Sequence, residues 1–349
     1  MAGPPGREFS RVCSDLSLPF CPVANGPLKL PLIFSTARLI RRLRVQILHA
    51  RHGRDYWPAI LAARFSLARP KVVLSRHLAK SPSSWASRRF LLSQCDAIAA
   101  VSQFVAKVLR EGDADPLSDN PERHYRPSMR GNLSKIHVVY GGFDMERFQP
   151  RHSTEQRQAW GLKPEHYVFG VVGGYDLPRG KGQREFLQAA ARISGQVPRA
   201  RFLIIGRGNM REILQAEIAQ LGLESCAQLT HYSNDMPSTM NALDCLVLPQ
   251  VGTEAIPGVV LEAHACGKPV IASNLDGIPE AFAVGGYGEL VERGSVDAVA
   301  RAMVRWAGLP ALLMPARWEL HKKVAGRFSL DRTARDLVDL YQLLLKPAP

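Results

Sequence analysis

The chain has 349 residues, 46% of them hydrophobic and 22% charged, which suits two globular domains and excludes a disordered chain. No apolar run approaches the roughly 18–20 residues of a membrane-spanning helix, and residues 1–11 lack a signal-peptide pattern. Residues 1–150 hold 23 Lys and Arg against 11 Asp and Glu, so this half is either a basic soluble surface or faces an acidic membrane, a phosphorylated glycolipid or nucleic acid.

The sequence of the first half predicts a helix at residues 7–16 and several short apolar strands. The strands are expected at residues 20–23, 45–49, 71–75, 97–101 and 136–140. Residues 112–131 are polar and predict a surface loop, and residues 141–157 predict the domain linker. Six scattered cysteines without a CxxC pair are typical of a reduced, cytoplasmic protein.

The second half alternates strongly between strands and helices. Strands are expected at residues 167–173, 201–206, 227–230, 245–249 and 269–273, with helices at 183–196, 210–220, 237–243 and from about 257. Continuous Val, Ile and Leu runs between helices indicate a parallel sheet buried on both faces, hence a doubly wound α/β domain. Residues 329–349 predict an amphipathic closing helix. The expected domains are therefore 1–150 and 151–328, followed by that helix.

Residues 253–273 predict a loop, a helix and a strand with the features of an anion site. Pro257 suits the first turn of a helix, and Gly258 lets a ligand approach the backbone closely. Free N–H groups at the helix start suit a diphosphate. Glu262 is placed to accept hydrogen bonds from ribose hydroxyls, and Glu254, in the preceding loop, from sugar hydroxyls.

Glu254 and Glu262, separated by seven residues and followed by Ala263 and by Ala-Cys-Gly-Lys-Pro-Val at 265–270, resemble the signature of glycosyltransferase family 4. The resemblance covers most of residues 45–345 and is strongest over 167–292. It implies group 1, retaining enzymes of the GT-B fold. Two Rossmann-like domains would then face a cleft, the first binding an acceptor and the second a nucleotide-sugar donor.

By this resemblance, Glu262 would bind the ribose and Glu254 the transferred sugar. The diphosphate would meet the backbone of Gly258, Val259 and Val260. Ala255 and Pro257 stand where the family often has glycine, which alters the expected shape of the sugar pocket.

The loop at residues 173–182 adds positive charge. Lys181 is expected to reach phosphate oxygens and matches a Lys-Gly pair of the family. Gly174 stands where the family has Arg, and Arg179 is either the replacement charge or a solvated surface residue. Residues 206–208 predict a turn beside the nucleotide or simply a tight strand-to-helix turn. Residues 231–235 would line a base pocket, while Asp235 suits a helix cap equally well.

In the first half, His77 follows a predicted strand. The resemblance implies that it touches the donor sugar near the reacting centre; the alternative is a histidine satisfied within its loop. Residues 49–52 are candidates to face the acceptor, and Trp85 with Arg88 and Arg89 fits a membrane-interface or acceptor-contacting segment. Family members open with an additional strand–helix–strand unit, which we expect to be absent here, leaving the first domain incomplete.

The predicted activity is transfer of a hexose-type sugar, with retention, from a nucleotide-sugar to a glycolipid or saccharide acceptor such as the lipopolysaccharide core. His77, Glu254 and Lys181 are the expected catalytic residues. No DxD-like pair is placed for a metal, so neither a metal nor another cofactor is expected. Charge and family analogy predict a cytoplasmic protein, peripheral at the inner membrane.

Two alternatives stay open at this point. The short start and Gly174 are compatible with a catalytically impaired nucleotide-sugar-binding protein. A nucleic-acid binder is disfavoured because aromatic residues are few and no compact basic helix is evident.

Overall fold

A computed structural model describes residues 1–6, 8–24, 26, 29–114, 125–177, 180–231 and 235–346. The chain forms two compact units. The first comprises Met1–Val101, Val105–Val139 and Asp336–Pro349, and the second Ser102–Phe104 and Tyr140–Arg335. The division at residue 140 precedes the expected boundary at 150, and the segment predicted as a linker, 141–157, is part of the second unit. No helix in the described part of the chain is long and apolar enough to cross a bilayer.

The first unit consists of short strands and helices. Its strands are β1 (Ala2–Gly3), β2 (Cys21–Pro22), β3 (Ile47–Ala50), β4 (Lys71–Arg76), β5 (Ala97–Ala100), β6 (Asp113–Ala114), β7 (Tyr125–Arg126) and β8 (Ile136–Val138). Its helices are α1 (Glu8–Asp15), α2 (Leu30–Leu43), α3 (Tyr56–Phe65), α4 (Trp85–Gln94) and α5 (Gln103–Glu111), the last of which begins within the second unit.

The central sheet of the first unit is parallel, in the order β3-β4-β5-β8, while β6 and β7 form a separate antiparallel pair. Its strands are apolar because both faces are covered. The C-terminal residues contribute to this cover, since Leu340 packs against Val73, Ala97 and Ala99.

The N-terminal region differs from the expected organisation. Residues 20–23 are the first strand predicted from the sequence, but the structure has an earlier one, β1 at Ala2–Gly3, and Cys21–Pro22 is β2. The two strands pair in parallel with α1 between them. Phe9 and Phe20 stack edge to face beside the pair, with ring centroids 6.3 Å apart. A two-residue strand has no periodicity to detect, so β1 could not be recognised from the sequence. The expectation that the family's additional strand–helix–strand unit is absent stays a prediction.

The second unit alternates strands and helices throughout. Its strands are β9 (Tyr167–Val172), β10 (Ala200–Gly206), β11 (Ala227–His231), β12 (Cys245–Leu248), β13 (Val270–Ser273) and β14 (Gly288–Val291). Its helices are α6 (Thr154–Ala159), α7 (Gln183–Ile193), α8 (Arg211–Gln220), α9 (Met236–Ala242), α10 (Gly258–Ala265), α11 (Ile278–Gly285), α12 (Val296–Ala307) and α13 (Met314–Phe328). The predicted closing helix is α14 (Leu330–Leu345), whose first residues belong to the second unit and whose remainder belongs to the first.

The sheet of the second unit is parallel, in the order β11-β10-β9-β12-β13-β14. In chain order this is 3-2-1-4-5-6, the arrangement of a Rossmann-like fold, and the winding direction reverses between β9 and β12. Ligands of such sheets bind at the carboxyl ends of the strands at this reversal. The loops that follow β9 and β12 therefore frame the candidate site.

Candidate functional site

The loop after β9 carries Lys181 on a firmly held backbone. The fully buried Gln183 accepts a hydrogen bond from the Lys181 N–H at 2.7 Å and donates one to the Gly174 carbonyl at 3.3 Å. Gly173 has a φ of 142°, and a Cβ there would lie 3.0 Å from Cγ of Lys181. Gln183 was not among the predicted site residues, because a single glutamine that holds a loop by hydrogen bonds leaves no recognisable sequence pattern.

The turn at residues 206–208 packs directly on this loop. A Cβ at Gly206 would overlap the carbonyl oxygen of Gly173, and one at Gly208 would overlap the carbonyl of Tyr175. The buried Tyr175 hydroxyl also donates to the Gly206 carbonyl at 3.1 Å. Both glycines are thus accounted for by close backbone packing, which supports the interpretation as a tight turn.

Lys181 and Glu254, two of the predicted site residues, form an ion pair with Nζ and Oε2 2.5 Å apart. The side chains are 35% and 12% exposed, so Glu254 is the more deeply placed partner. The pair joins the loop after β9 to the loop after β12, across the point where the sheet reverses. It keeps the Lys181 ammonium beside the sheet edge rather than in bulk water.

A third loop, after β13, fixes the backbone of Glu254. Asp276 accepts hydrogen bonds through Oδ2 from the Glu254 N–H at 3.1 Å and from the Thr253 hydroxyl at 2.5 Å. Gly277 donates its N–H to the Glu254 carbonyl at 3.1 Å, and a Cβ at Gly277 would overlap the carbonyl of Ala255. Asp276 and Gly277 are site-building residues that the sequence analysis missed.

Helix α10 begins beside this ion pair. Pro257 was expected in its first turn but is the preceding N-cap residue, with φ −81° and ψ 111°, because the helix starts at Gly258. No side chain of the described residues caps this end. Gly258 is exposed and Val259 is half-buried, and no helical carbonyl pairs with their N–H groups. Val260, the third predicted backbone contact, is buried and its N–H donates to the Pro257 carbonyl at 3.3 Å. This geometry suits an anion.

Glu262 lies one turn further along α10. Its Oε1 is 3.6 Å from the position that a Cβ of Gly258 would take, so the carboxyl lies beside the start of the helix. Burial raises the pKa of Glu262 to about 7. Within the described part of the chain, no hydrogen bond or ion pair engages this side chain. Burial of a carboxyl group without a hydrogen bond or ion pair costs free energy, and such groups are typical of ligand-binding positions.

His77 lies in the first unit, one residue after β4, with its side chain exposed. Partial burial of the ring, followed by the positive charges of Arg51, His52 and Arg76, lowers the pKa of His77. The prediction that it contacts a donor sugar stays a prediction. His49, in the segment expected to face an acceptor, is instead engaged at both ring nitrogens, with Tyr341 at 2.6 Å and Ser75 at 2.8 Å.

The remaining predicted positions divide into two groups. Arg179 and residues 232–234 lie outside the described residues. Asp235 accepts a hydrogen bond from the Ser238 N–H at 3.2 Å and caps α9, which supports the capping interpretation.

The described residues contain no group of three His, Cys, Asp or Glu side chains able to hold a metal ion. The expectation that neither a metal nor another cofactor is needed stays a prediction.

A doubly wound sheet with an uncapped helix start, a lysine and a half-buried carboxyl at its reversal point is typical of nucleotide-binding α/β domains. Comparison with known families is more specific. Residues 2–118 match the family model Glycosyltransferase Family 4, and residues 166–308 match Glycosyl transferases group 1. The chain belongs to this family, the group 1 glycosyltransferases, which confirms the family predicted from Glu254, Glu262 and residues 265–270.

Individual relatives and solved structures agree with this assignment. The UDP-Gal:alpha-D-GlcNAc-diphosphoundecaprenol alpha-1,3-galactosyltransferase of Escherichia coli is 29% identical over 216 residues, covering 59% of this chain and 54% of that protein. This chain spans about half the length of the curated relatives it matches.

Two crystal structures are similar over most of the chain. A glycosyltransferase from Rickettsia africae superposes with a TM-score of 0.79 at 18% identity, covering 98% of this chain and 89% of that one. Anabaena HepE in complex with UDP superposes with a TM-score of 0.75 at 19% identity, covering 96% and 89%. At these identities the likeness shows the fold, and it confirms the predicted GT-B fold with two Rossmann-like domains.

Proposed function

We propose that this protein transfers a sugar from a nucleoside diphosphate donor to an acceptor, with retention of anomeric configuration. One observation carries the proposal: the Lys181 ammonium, the uncapped start of α10 and the Glu262 carboxyl all lie on the segments that follow β9 and β12, the strands at the reversal point of one sheet. A nucleotide-sugar offers the complementary groups, namely anionic phosphates and ribose hydroxyls. The E. coli relative, whose name specifies UDP-Gal, and the UDP complex of HepE support this donor class.

In the proposed reaction, the residues of the site stabilise the negative charge that develops on the leaving diphosphate. When the bond between the sugar and the diphosphate breaks, the diphosphate leaves with the electron pair and becomes more negative. The N–H groups of Gly258 and Val259, together with Lys181, would stabilise that charge. Arg179 is a further candidate for the same role. Glu254 would accept hydrogen bonds from the transferred sugar, and His77 is a further proposed contact of that sugar. This scheme requires no metal ion.

The proposed acceptor is a bacterial envelope glycolipid such as the lipopolysaccharide core, reached by a cytoplasmic protein at the inner membrane. The strongly basic first half supports an anionic membrane surface as partner. Trp85 is 67% exposed at the start of α4, Arg88 and Arg89 follow it, and the Arg89 guanidinium lies over the Phe90 ring at 5.2 Å. Aromatic and cationic side chains side by side suit a membrane interface. Nucleic acid is not a proposed partner.

Nucleoside diphosphate release is the direct test. The protein is mixed with UDP- and GDP-sugars and extracted envelope glycolipids, and wild type should release the diphosphate only when the matching donor and acceptor are present. Glu262→Ala should lose at least about tenfold in turnover per enzyme, because charge-assisted hydrogen bonds to the ribose are removed. The exposed Glu224→Ala is the matched control and should behave as wild type. Undiminished turnover in Glu262→Ala would contradict the site, and an inverted anomeric configuration in the product would contradict retention.

One observation favours a second candidate, a catalytically impaired nucleotide-sugar-binding protein. Lys181 already pairs with Glu254, so the cation meant for the departing phosphates is neutralised, and Gly174 adds no charge in the same loop. Calorimetry with nucleotide-sugars distinguishes the two. Donor binding that depends on Glu262, without turnover on any acceptor, would favour the binding protein.

A further inference from the structure

The second unit contains a cavity at the edge of its sheet opposite to the candidate site. Tyr167 opens β9, Asp244 precedes β12 and Pro269 precedes β13, so the cavity lies at the amino ends of the strands. The connection between α12 and α13 closes it, with Trp306 on one side. Its volume is about 50 Å³. Since one water needs roughly 10–15 Å³ in such measures, the space suits several waters or one small oxyanion.

Positive charge exceeds negative charge around this cavity. Lys268 and Arg317 line it, and among the lining residues Asp244 supplies the carboxylate. The Oδ2 atom of that carboxylate accepts from Nη1 of Arg157 at 2.9 Å and from the Val168 N–H at 2.8 Å. Its charge also attracts Lys268 and Arg317, so one carboxylate is shared among three cations around the cavity.

The two lining cations differ in their partners. Arg317 donates to the Cys266 carbonyl at 2.7 Å and to Oδ1 of Asn241 at 2.9 Å, so it serves the C-terminal end of α10. The Lys268 side chain makes no hydrogen bond or ion pair with another described residue. Burial, followed by repulsion from Arg317, lowers the pKa of Lys268 to about 8, and the attraction of Asp244 offsets this only in part. An ammonium in such a position is costly unless a partner is supplied.

We propose that this cavity binds a small oxyanion of the phosphate class, with Lys268 as its principal contact and Arg317 beside it. The anion would add negative charge to a cavity in which Asp244 is shared among Lys268, Arg317 and Arg157. The inference does not depend on the proposed sugar transfer, because no residue of this cavity belongs to the candidate donor site.

Calorimetric titration with inorganic phosphate tests the proposal. Lys181→Met removes the cation of the candidate donor site, so phosphate binding that survives in this variant comes from elsewhere. We expect binding to persist in wild type and Lys181→Met, and to weaken at least about tenfold in Lys268→Met. Lys323→Met, an exposed lysine on α13, is the matched control and should bind as wild type. Binding lost in Lys181→Met, or unchanged in Lys268→Met, would overturn the proposal.

A second measurement keeps the proposal testable if Lys268→Met does not fold. Wild-type crystals soaked in tungstate, a heavy oxyanion, should show an anomalous peak within hydrogen-bonding distance of Lys268 Nζ. A peak at Lys181 alone, or no peak in the cavity, would refute the site.

Discussion

Replacing Glu262 with glutamine should stabilise the folded protein, and the gain should grow as the pH rises. Burial raises the pKa of this carboxyl from 4.5 to about 7 on folding. Between these values the folded state keeps a proton that the unfolded chain has lost. The stability linked to this group is therefore fully present below pH 4.5 and is lost as the pH rises through 7.

The size of the effect follows from the two pKa values. The difference between 4.5 and 7 corresponds to about 3.4 kcal/mol at roughly 1.36 kcal/mol per pKa unit. Glu262 is half-buried, and solvent screening reduces the figure to about 2 kcal/mol. Glutamine has a similar shape but does not ionise, so the variant escapes the penalty that wild type carries at high pH.

Urea unfolding at pH 5, 6, 7 and 8 measures the effect, with wild type and Glu262→Gln compared at each pH. The difference in unfolding free energy should increase steadily in favour of the variant and level off above pH 7. Glu224→Gln, at an exposed position, should follow wild type throughout. A constant difference between wild type and Glu262→Gln across this range, or a variant that is less stable at pH 8, would refute the reasoning from burial.

Three further predictions concern the same sheet edge. Calorimetry with UDP should show affinity rising through pH 7 more steeply in wild type than in Glu262→Gln, because the ionised carboxylate is the better acceptor for ribose hydroxyls. Lys181→Met should lower the unfolding free energy by about 1–2 kcal/mol, because it leaves the Glu254 carboxylate unpaired. Adding Glu254→Gln to this variant should restore at least half of the lost unfolding free energy. If the losses of the two single variants simply add in the double variant, the two residues are not coupled. Gly206→Ala should lower the free energy of chemical unfolding by about 2–3 kcal/mol, because the new Cβ would overlap backbone atoms. Gly195→Ala is the control and should leave the unfolding free energy nearly unchanged, because there is open space around that position. Equal effects of the two substitutions would contradict the packing argument.

The sheet of the second unit was largely predictable from the sequence, and the reason is burial. Strands β9, β10, β12 and β13 are covered on both faces and therefore read as unbroken apolar runs. Strand β14 was missed because Gly288 and Glu289 interrupt such a run. Strand β1 was missed because two residues cannot express a period.

The candidate site was predictable only where its chemistry is local in sequence. Glu262 and Gly258 lie within one helical turn, so their spacing already expresses their proximity. The contact between Lys181 and Glu254 depends on the order of strands in the sheet, which no short segment encodes. Asp276 could not be recognised as the anchor of Glu254 for the same reason, because its loop follows a different strand.

The ion pair between Lys181 and Glu254 suggests how such a site would reach its ligand without first creating an isolated charge. In the unliganded protein each group neutralises the other, which limits the cost of holding Glu254 at 12% exposure. If a nucleotide-sugar binds as proposed, its phosphates draw Lys181 away from Glu254. The same ligand then brings sugar hydroxyls that can donate to the carboxylate. A nucleoside diphosphate without a sugar offers the phosphates but not those hydroxyls, so it would leave Glu254 unpaired. The site would then prefer the nucleotide-sugar over the nucleoside diphosphate because Lys181 and Glu254 exchange each other for ligand partners. Glu254→Gln should therefore reduce the ratio of the two affinities more than it reduces the affinity for the diphosphate alone.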